Sequence, residues 1–250
     1  MCRGWSKTRL RFGVLALPTG NLVSTYIRAL AVALLIGMIL LAVPAIIHPV
    51  LGGPAADQLR MIADTPYWRT MHLSMLAGSG LIIAGIWVRL VTDVAVGGQS
   101  AAPGARSTVN PLLLAALALI SLGIAVNALN IGFMAGAGWH MAAEFAAGRT
   151  EMGPVFEGTH PIGLIAARFG NLIISLGALG LGWAEWQDTS RPRWLAWLAW
   201  GAGIGGIIGV LFFNEASRIA VAGVALLMAW ELATALRALR APAASGRQLA

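Results

Sequence analysis

This chain has very little charge and almost no cysteine. Only 11% of its 250 residues are Asp, Glu, Lys or Arg, whereas a soluble domain usually has about 25%. So few charges cannot coat a globular surface, so lipid must act as the solvent for much of the molecule. The single cysteine, Cys2, excludes an internal disulfide framework and a cysteine-based zinc site.

The sequence signatures of nucleotide binding and nucleophilic catalysis are also missing. No Walker loop, dinucleotide fingerprint or Ser-His-acid order is found at a strand–helix junction, and the composition predicts no strands. An enzyme is therefore the least supported class of function.

Long apolar runs are what the chain has in excess. Apolar residues make up 58% of the sequence and the mean hydropathy is +0.77. A helix needs roughly 20 apolar residues to cross a hydrocarbon core of about 30 Å, and lipid does not tolerate unpaired backbone groups. The sequence therefore predicts an all-α bundle of six transmembrane helices, near residues 26–47, 71–91, 111–137, 162–186, 194–213 and 216–236.

The distribution of charge predicts the orientation of this bundle. Alternating spans place 12 basic and 4 acidic residues on the side of the two termini, and 5 basic and 6 acidic residues on the other side. The positive-inside rule then makes both termini cytoplasmic in a multi-pass protein of the inner membrane. The net charge of +7 is thus explained by topology, and the predicted partner is a lipid bilayer and not a nucleic acid.

The segments outside the spans are expected to be irregular. Residues 1–25 form a basic cytoplasmic tail, residues 93–110 a mobile cytoplasmic loop and residues 241–250 a disordered tail. Trp68 and Trp139 are interpreted as anchors at the outer membrane interface. Glu185 and Glu231 fall near the inner interface, where an exposed carboxylate needs no special explanation.

Three small residues in the fifth span, Gly201, Gly205 and Gly209, form a small-xxx-small pattern. Such a pattern lets two helices approach closely. The face is expected to pack either within the chain or against another subunit, as a homo-oligomer or a membrane complex.

The four histidines are the only constellation that could carry chemistry. They lie at ends of predicted spans on the outer side: His48, His72, His140 and His160. Imidazole is the commonest metal ligand, and Glu144 shares a helix face with His140 at the i, i+4 spacing. The cluster is therefore a candidate metal or haem site. The competing interpretation is that amphipathic histidines suit a membrane interface without any ligand.

Beneath this layer the predicted spans carry polar residues in the outer half of the bilayer. Polar groups at that depth are costly, and they usually face the bundle interior or a wet cavity. The sequence therefore predicts an outward-facing polar pocket rimmed by the histidines and lined by Arg168, Asn127, Asn130, Asn171 and Ser175.

The first two pairs of spans also resemble each other. Each pair forms a hairpin with two histidines at its outer end, and His72 and Trp87 have the same spacing as Arg168 and Trp183. This suggests an old duplication, although two generic hairpins would share the same features.

One stretch resembles a pattern in bacterial multi-span membrane proteins of unknown function, in which the first span ends in His-Pro and a "W…H" entrance opens the second. The residues that carry this resemblance are His48-Pro49, Leu59, Ile62-Ala63, Trp68, His72-Leu73 and Leu76. It implies a bacterial cytoplasmic-membrane protein and brings no activity with it.

These observations favour a binding or sensing protein with an outward-facing, histidine-rimmed pocket. Two alternatives stay open: a transporter of a small solute or ion, and a structural subunit of a membrane complex. A transporter needs polar groups to continue through the cytoplasmic half, where the sequence shows few.

Overall fold

A computed structural model describes residues 20–100, 109–213 and 218–240, and all the regular structure in these ranges is helical. The elements are α1 (Gly20–Ile47), α2 (Ala55–Asp64), α3 (Trp68–Gly85), α4 (Val88–Ser100), α5 (Pro111–Phe133), a π-helical segment (Met134–Gly138), α6 (Trp139–Ala146), α7 (Met152–Gln187), α8 (Trp194–Phe212) and α9 (Arg218–Arg240).

Six helical stretches are long and apolar enough to cross a membrane, which confirms the predicted fold class. They are Leu22–Ile47, Trp68–Ala95, Pro111–Ala146, Met152–Gln187, Trp194–Phe212 and Arg218–Arg240. Successive spans pack as neighbours: α1 on α3, α3 on α5, α5 on α7, α7 on α8 and α8 on α9. Because α9 also packs on α1, the six spans close into a ring.

Glycines set the closest helix crossings. A Cβ placed on Gly37 of α1 would lie 2.8 Å from the carbonyl oxygen of Gly78 on α3. A Cβ on Gly123 of α5 would lie 2.6 Å from the carbonyl oxygen of Gly170 on α7. The two hairpins therefore cross in the same way, through a pair of glycines whose backbones touch.

The likeness between the hairpins extends to a second contact. A Cβ on Gly85 would lie 2.6 Å from the backbone nitrogen of Leu34, and one on Gly177 would lie 2.9 Å from that of Ile120. If the two hairpins are aligned by these contacts, Gly78 matches Gly170. The sequence had instead matched His72 with Arg168, an alignment that differs by about one helical turn. The contacts give a different alignment because touching backbones, and not the His–Trp spacing, set the helix crossing.

Several helices extend beyond the predicted spans. Helix α7 begins at Met152 and runs through Pro161, which is exposed, so the backbone carbonyl that loses its partner there is not buried. Helix α4 continues to Ser100, where a loop from residue 93 was predicted, and Asp93 pairs with Arg89 one turn before it. Residues 20–25 of the predicted N-terminal tail belong to α1, so the boundary predicted at residue 25 is wrong. Residues 1–19, 101–108 and 241–250 lie outside the described residues.

The glycine face of α8 is used within the chain. A Cβ on Gly209 would lie 2.6 Å from Ala220, and one on Gly205 would lie 3.4 Å from Gly223, both on α9. Gly201 similarly faces Leu226 of α9. Of the two predicted uses of this face, the structure shows packing inside the bundle.

Candidate ligand-binding site

A cavity of about 470 Å³ opens at the end of the bundle that carries the α1–α3 and α6–α7 connections. We call this end the histidine end. The cavity is bounded by the segment after α1, by α2, and by α3, α5 and α7. Its walls include both aromatic and hydrogen-bonding side chains: His48, Gln58, His72, Asn130, Phe156, Glu157 and His160. Three of the four predicted histidines thus meet at one cavity.

His48 and His72 make a direct polar contact in the cavity wall. Their Nε2 atoms are 3.2 Å apart, and the two rings meet edge to face with centroids 5.0 Å apart. His72 is buried and His48 is half-buried. Burial lowers the pKa of His48 below its ordinary value of 6.5, although a hydrogen bond with the backbone of Pro49 opposes the shift.

The tautomer of His72 follows from its second hydrogen bond. Its Nδ1 is 2.9 Å from the carbonyl oxygen of Trp68, and because a carbonyl can only accept, Nδ1 carries the hydrogen. In the neutral ring Nε2 then carries a lone pair, and this atom lies 3.2 Å from Nε2 of His48. This is the arrangement in which a backbone carbonyl orients an imidazole to bind a metal through its other nitrogen.

Trp68 holds this wall of the cavity in place. It is fully buried, its ring lies 4.5 Å from that of His72 and 5.0 Å from that of His48, and its Nε1 donates to the carbonyl oxygen of Met134 at 3.2 Å. Met134 opens the π-helical segment. The interpretation of Trp68 as an interfacial anchor is therefore wrong, because its indole N–H finds its acceptor inside the protein.

Helix α2 closes one side of the cavity and was not predicted. Its apolar residues Leu59 and Ile62 are buried against the cluster that contains Trp68 and Phe156, while Gln58 faces the cavity. The Oε1 atom of Gln58 and the Oδ1 atom of Asn130 are buried without a hydrogen-bond partner in the described residues. Both oxygens are packed against protein atoms: a Cβ on Gly163 of α7, for example, would lie 2.5 Å from Asn130 Oδ1.

Across the cavity from His48, α7 presents Glu157 and His160. They stand at the i, i+3 spacing, and His160 packs against Phe156 with ring centroids 4.6 Å apart. This Glu-x-x-His spacing, a recognised metal-binding pattern on helices, is present in the sequence and was missing from the predicted site. Within the described residues, no three His, Cys, Asp or Glu side chains come close enough to hold one ion.

The other predicted metal ligands lie apart from this cavity. His140 is exposed on α6 and does not line the cavity. Glu144 forms an ion pair with Arg149, in which Oε2 and Nε are 2.9 Å apart. The i, i+4 spacing of His140 and Glu144 therefore does not contribute to the site.

The predicted polar layer is divided between two places. Asn130 lines the histidine-walled cavity, whereas the Nδ2 atom of Asn127 donates to Oδ1 of Asn171 at 2.8 Å. Ser175 donates to the carbonyl of Asn171 at 2.6 Å, and both residues line a cavity of about 40 Å³ between α7, α8 and α9. Arg168 lies on the exposed side of α7 and lines neither cavity.

A buried cluster of charges lies at the opposite end of the bundle, which we call the arginine end. Arg89 and Glu185 are 2% and 0% exposed, and their Nε and Oε1 atoms are 3.0 Å apart. Arg89 also pairs with Asp188 at 2.7 Å and with Asp93. Arg191 reaches the second oxygen of Glu185 at 2.7 Å. The cluster ties α4 to α7 and to the segment that follows α7.

The expectation that Glu185 and Glu231 are exposed interfacial carboxylates is therefore wrong. They are 0% and 2% exposed, because each lies on the helix face that packs into the bundle. Arg89 was counted in the sequence only as a cytoplasmic charge. The signal that could have found the cluster is the concentration of acids and arginines at the ends of adjacent spans.

Two members of the cluster lie outside the spans and have shifted pKa values. Burial lowers the pKa of Arg191 to about 10, although the Glu185 carboxylate opposes the shift. Burial tends to raise the pKa of Asp188, but hydrogen bonds from Ser190 and the nearby Arg89 and Arg191 charges bring it below 3.8. Both groups are therefore ionised at neutral pH.

Comparison with known protein families, with curated proteins and with solved structures finds no match to this chain. The function therefore has to be argued from the cavity, the charge cluster and the fold alone.

Proposed function

We propose that this membrane protein binds a small ligand in the cavity at the histidine end, and that His48 and His72 coordinate a transition-metal cation there. The observation that carries the proposal is the pair of Nε2 atoms 3.2 Å apart at the wall of an open cavity. The Trp68 carbonyl fixes the donor tautomer of His72, so its lone pair is directed at the position between the rings.

The distance between the two Nε2 atoms indicates which kind of metal site the pair fits. Two nitrogens bound to one tetrahedral ion at about 2.0–2.1 Å are about 3.3 Å apart, whereas two axial ligands on opposite faces of a haem iron would be about 4 Å apart. The His48–His72 pair fits the first arrangement. Water or a small ligand in the cavity would complete the coordination.

Metal binding by the purified chain tests the proposal. We expect the protein in detergent to bind an equimolar amount of Zn²⁺ by calorimetry, and bound Co²⁺ to show tetrahedral absorption bands. His48→Gln and His72→Gln should each weaken Zn²⁺ binding by at least about 10–100-fold, the range for losing a supporting residue. His140→Gln is the matched control, because His140 is exposed and outside the cavity. Equal affinity in all three variants would refute the metal assignment.

We also propose that the histidine end faces the outside of a bacterial inner membrane, which the asymmetry of basic residues supports. In a Cys2→Ala background, Ala63→Cys lies on the exposed side of α2 and Thr189→Cys on the exposed turn after α7. A membrane-impermeant maleimide applied to intact cells should label the first variant and not the second. The reverse pattern would invert the orientation.

Transport is a second candidate, favoured by polar groups that continue beyond the cavity. The Asn127–Asn171 hydrogen bond and Ser175 lie in the bundle core, and Arg89 and Glu185 are buried beyond them. Liposomes that contain the protein and a Zn²⁺-sensitive dye should then take up Zn²⁺ faster than protein-free liposomes. If the protein binds Zn²⁺ but the liposomes take up no more Zn²⁺ than protein-free liposomes, transport is excluded and the binding function is retained.

A further inference from the structure

Two glutamates are equally buried at the arginine end but have opposite surroundings. Glu185 is 0% exposed and pairs with Arg89 and Arg191. Glu231, on α9, is 2% exposed, and the described residues provide it with no hydrogen bond or ion pair. The two side chains therefore form a natural comparison between a compensated and an uncompensated buried acid.

The elements that pack on α9 explain why Glu231 has no counter-charge. Helix α8 has no charged or titratable residue within Trp194–Phe212. The charged groups on the other packed elements are directed elsewhere: Arg28 of α1 is exposed, Arg89 and Asp93 of α4 belong to the cluster, and Arg237 and Arg240 of α9 are exposed. Arg191 reaches α9 one turn further on, where its Nη2 atom is 3.2 Å from Thr234 Oγ1.

An ionised carboxylate without a partner is strongly disfavoured inside a membrane protein. A carboxylic acid in the same place costs far less, because it has no net charge. Beside Glu231, the Nε1 atom of Trp230 is also buried without a hydrogen-bond partner. This part of the bundle thus holds a neutral acid more readily than an anion.

We propose that Glu231 is a proton-binding site within the bundle, which carries its proton at neutral pH and exchanges it by way of the arginine end. The ligand is a proton: the carboxylate oxygen of Glu231 gains it from water when the site opens, and returns it to water when it leaves. Thr234 lies one turn after Glu231 on α9 and accepts a hydrogen bond from Arg191, so polar groups continue from Glu231 along α9. This site is independent of the proposed metal site, which lies at the histidine end.

Modification by dicyclohexylcarbodiimide tests the proposal, because this apolar reagent reacts with a protonated carboxyl group. The carboxyl O–H adds across a C=N bond of the reagent to give an O-acylisourea, and an O-to-N shift of the acyl group then gives a stable N-acylurea without a leaving group. The full-length protein in detergent is treated near neutrality, and adducts are located by peptide mass spectrometry. We expect about tenfold more adduct on Glu231 than on Glu185, a ratio equivalent to about 1.4 kcal/mol. The adduct should decrease as the pH is raised and be absent in Glu231→Gln.

Infrared spectroscopy tests the same proposal if dicyclohexylcarbodiimide cannot reach Glu231 inside the bundle. The wild-type protein should show the C=O stretch of a protonated carboxyl group near neutral pH, and Glu231→Gln should remove it while the thermal unfolding midpoint is retained. A spectrum in which the variant removes a carboxylate band would overturn the proposal. So would adduct formation that Na⁺ suppresses at constant pH, because the site would then bind a metal cation.

Discussion

The two ends of the bundle handle buried polar groups in opposite ways. At the arginine end, Arg89 and Arg191 face Glu185 and Asp188 at 2.7–3.0 Å, and their charges compensate one another. At the histidine end, His48 and His72 share the wall of an open cavity with the unpartnered oxygens of Gln58 and Asn130.

The difference separates a structural role from a binding role. Polar groups that satisfy each other hold helices together, and removing one leaves its partner buried and uncompensated. Polar groups that surround space without satisfying each other are instead available to a ligand. By this criterion the arginine end closes the bundle, whereas the histidine end is the site that we propose for ligand binding. Glu231 is the exception at the arginine end.

The largest expected effect comes from breaking the charge cluster. Arg89→Leu should lower the free energy of unfolding by about 3–5 kcal/mol, because it leaves Glu185 buried with half of its compensation. Arg149→Leu, which breaks an ion pair whose arginine is 64% exposed, should cost about 0–1 kcal/mol. Denaturant unfolding of both variants in detergent compares the two. If the two variants lose similar amounts of unfolding free energy, the charge cluster is not the main interaction that holds the helices together at the arginine end.

The crossing that brings His48 to His72 should be the next most sensitive feature. Gly78→Ala places a Cβ 2.7 Å from the carbonyl oxygen of Gly37, so α1 and α3 must move apart, at about 1–3 kcal/mol. We expect Zn²⁺ affinity to fall along with stability. Gly80→Ala has nothing within 4 Å of the new Cβ and is the matched control. If Zn²⁺ binding is unchanged in Gly78→Ala, the crossing does not position the histidines.

Trp68→Phe should have a somewhat smaller effect on stability. It removes the donor to the Met134 carbonyl, and an unsatisfied buried acceptor costs about 1–3 kcal/mol. Zn²⁺ affinity should also decrease, since the indole packs against both histidine rings. Trp139→Phe, at a residue 37% exposed, should change neither quantity in the same titration and unfolding assays.

Acidification should have the smallest effect on stability, and it distinguishes the two ends by the pH at which the loss begins. The pKa of His48 is lowered in the folded protein, so stability is retained above pH 6.5 and is lost as the pH falls through the folded-state value. The lowered pKa of Asp188 produces the same loss only below pH 3.8. The unfolding midpoint should therefore begin to fall below pH 6.5 in the wild type and much less in the double variant His48→Gln, His72→Gln, which lacks both buried imidazoles of the cavity wall. Parallel curves would assign the acid response to another group.

The sequence was sufficient for the coarse fold. Apolar runs of this length predict membrane spans because a helix satisfies all of its own backbone groups in lipid, and the described residues contain six such helices. The helices outside these runs were harder to predict. Helix α2 is short and amphipathic, and the beginning of α7 runs through Pro161, which a sequence pattern interprets as a helix entrance.

The candidate site could be predicted only in part. His48, His72 and His160 follow from their positions at span ends, and Asn130 from its depth. The separation of His140 and the exposure of Arg168 could not be predicted, because both depend on how each helix is rotated about its axis. The compensated burial of Glu185 has the same origin: span ends show where a charge lies along a helix but not which side of the helix faces the bundle.

The sequence by itself thus determined that this is a six-helix membrane bundle, and that its histidines lie at the ends of spans. Tertiary structure alone decided that three of these histidines line one cavity, that Glu185 has two arginine partners and that Glu231 has none among the described residues. The physical reason is that hydropathy depends on composition along the chain, whereas contact between side chains depends on backbone crossings such as Gly37 on Gly78. Those crossings set both the separation of the helices and the faces that meet.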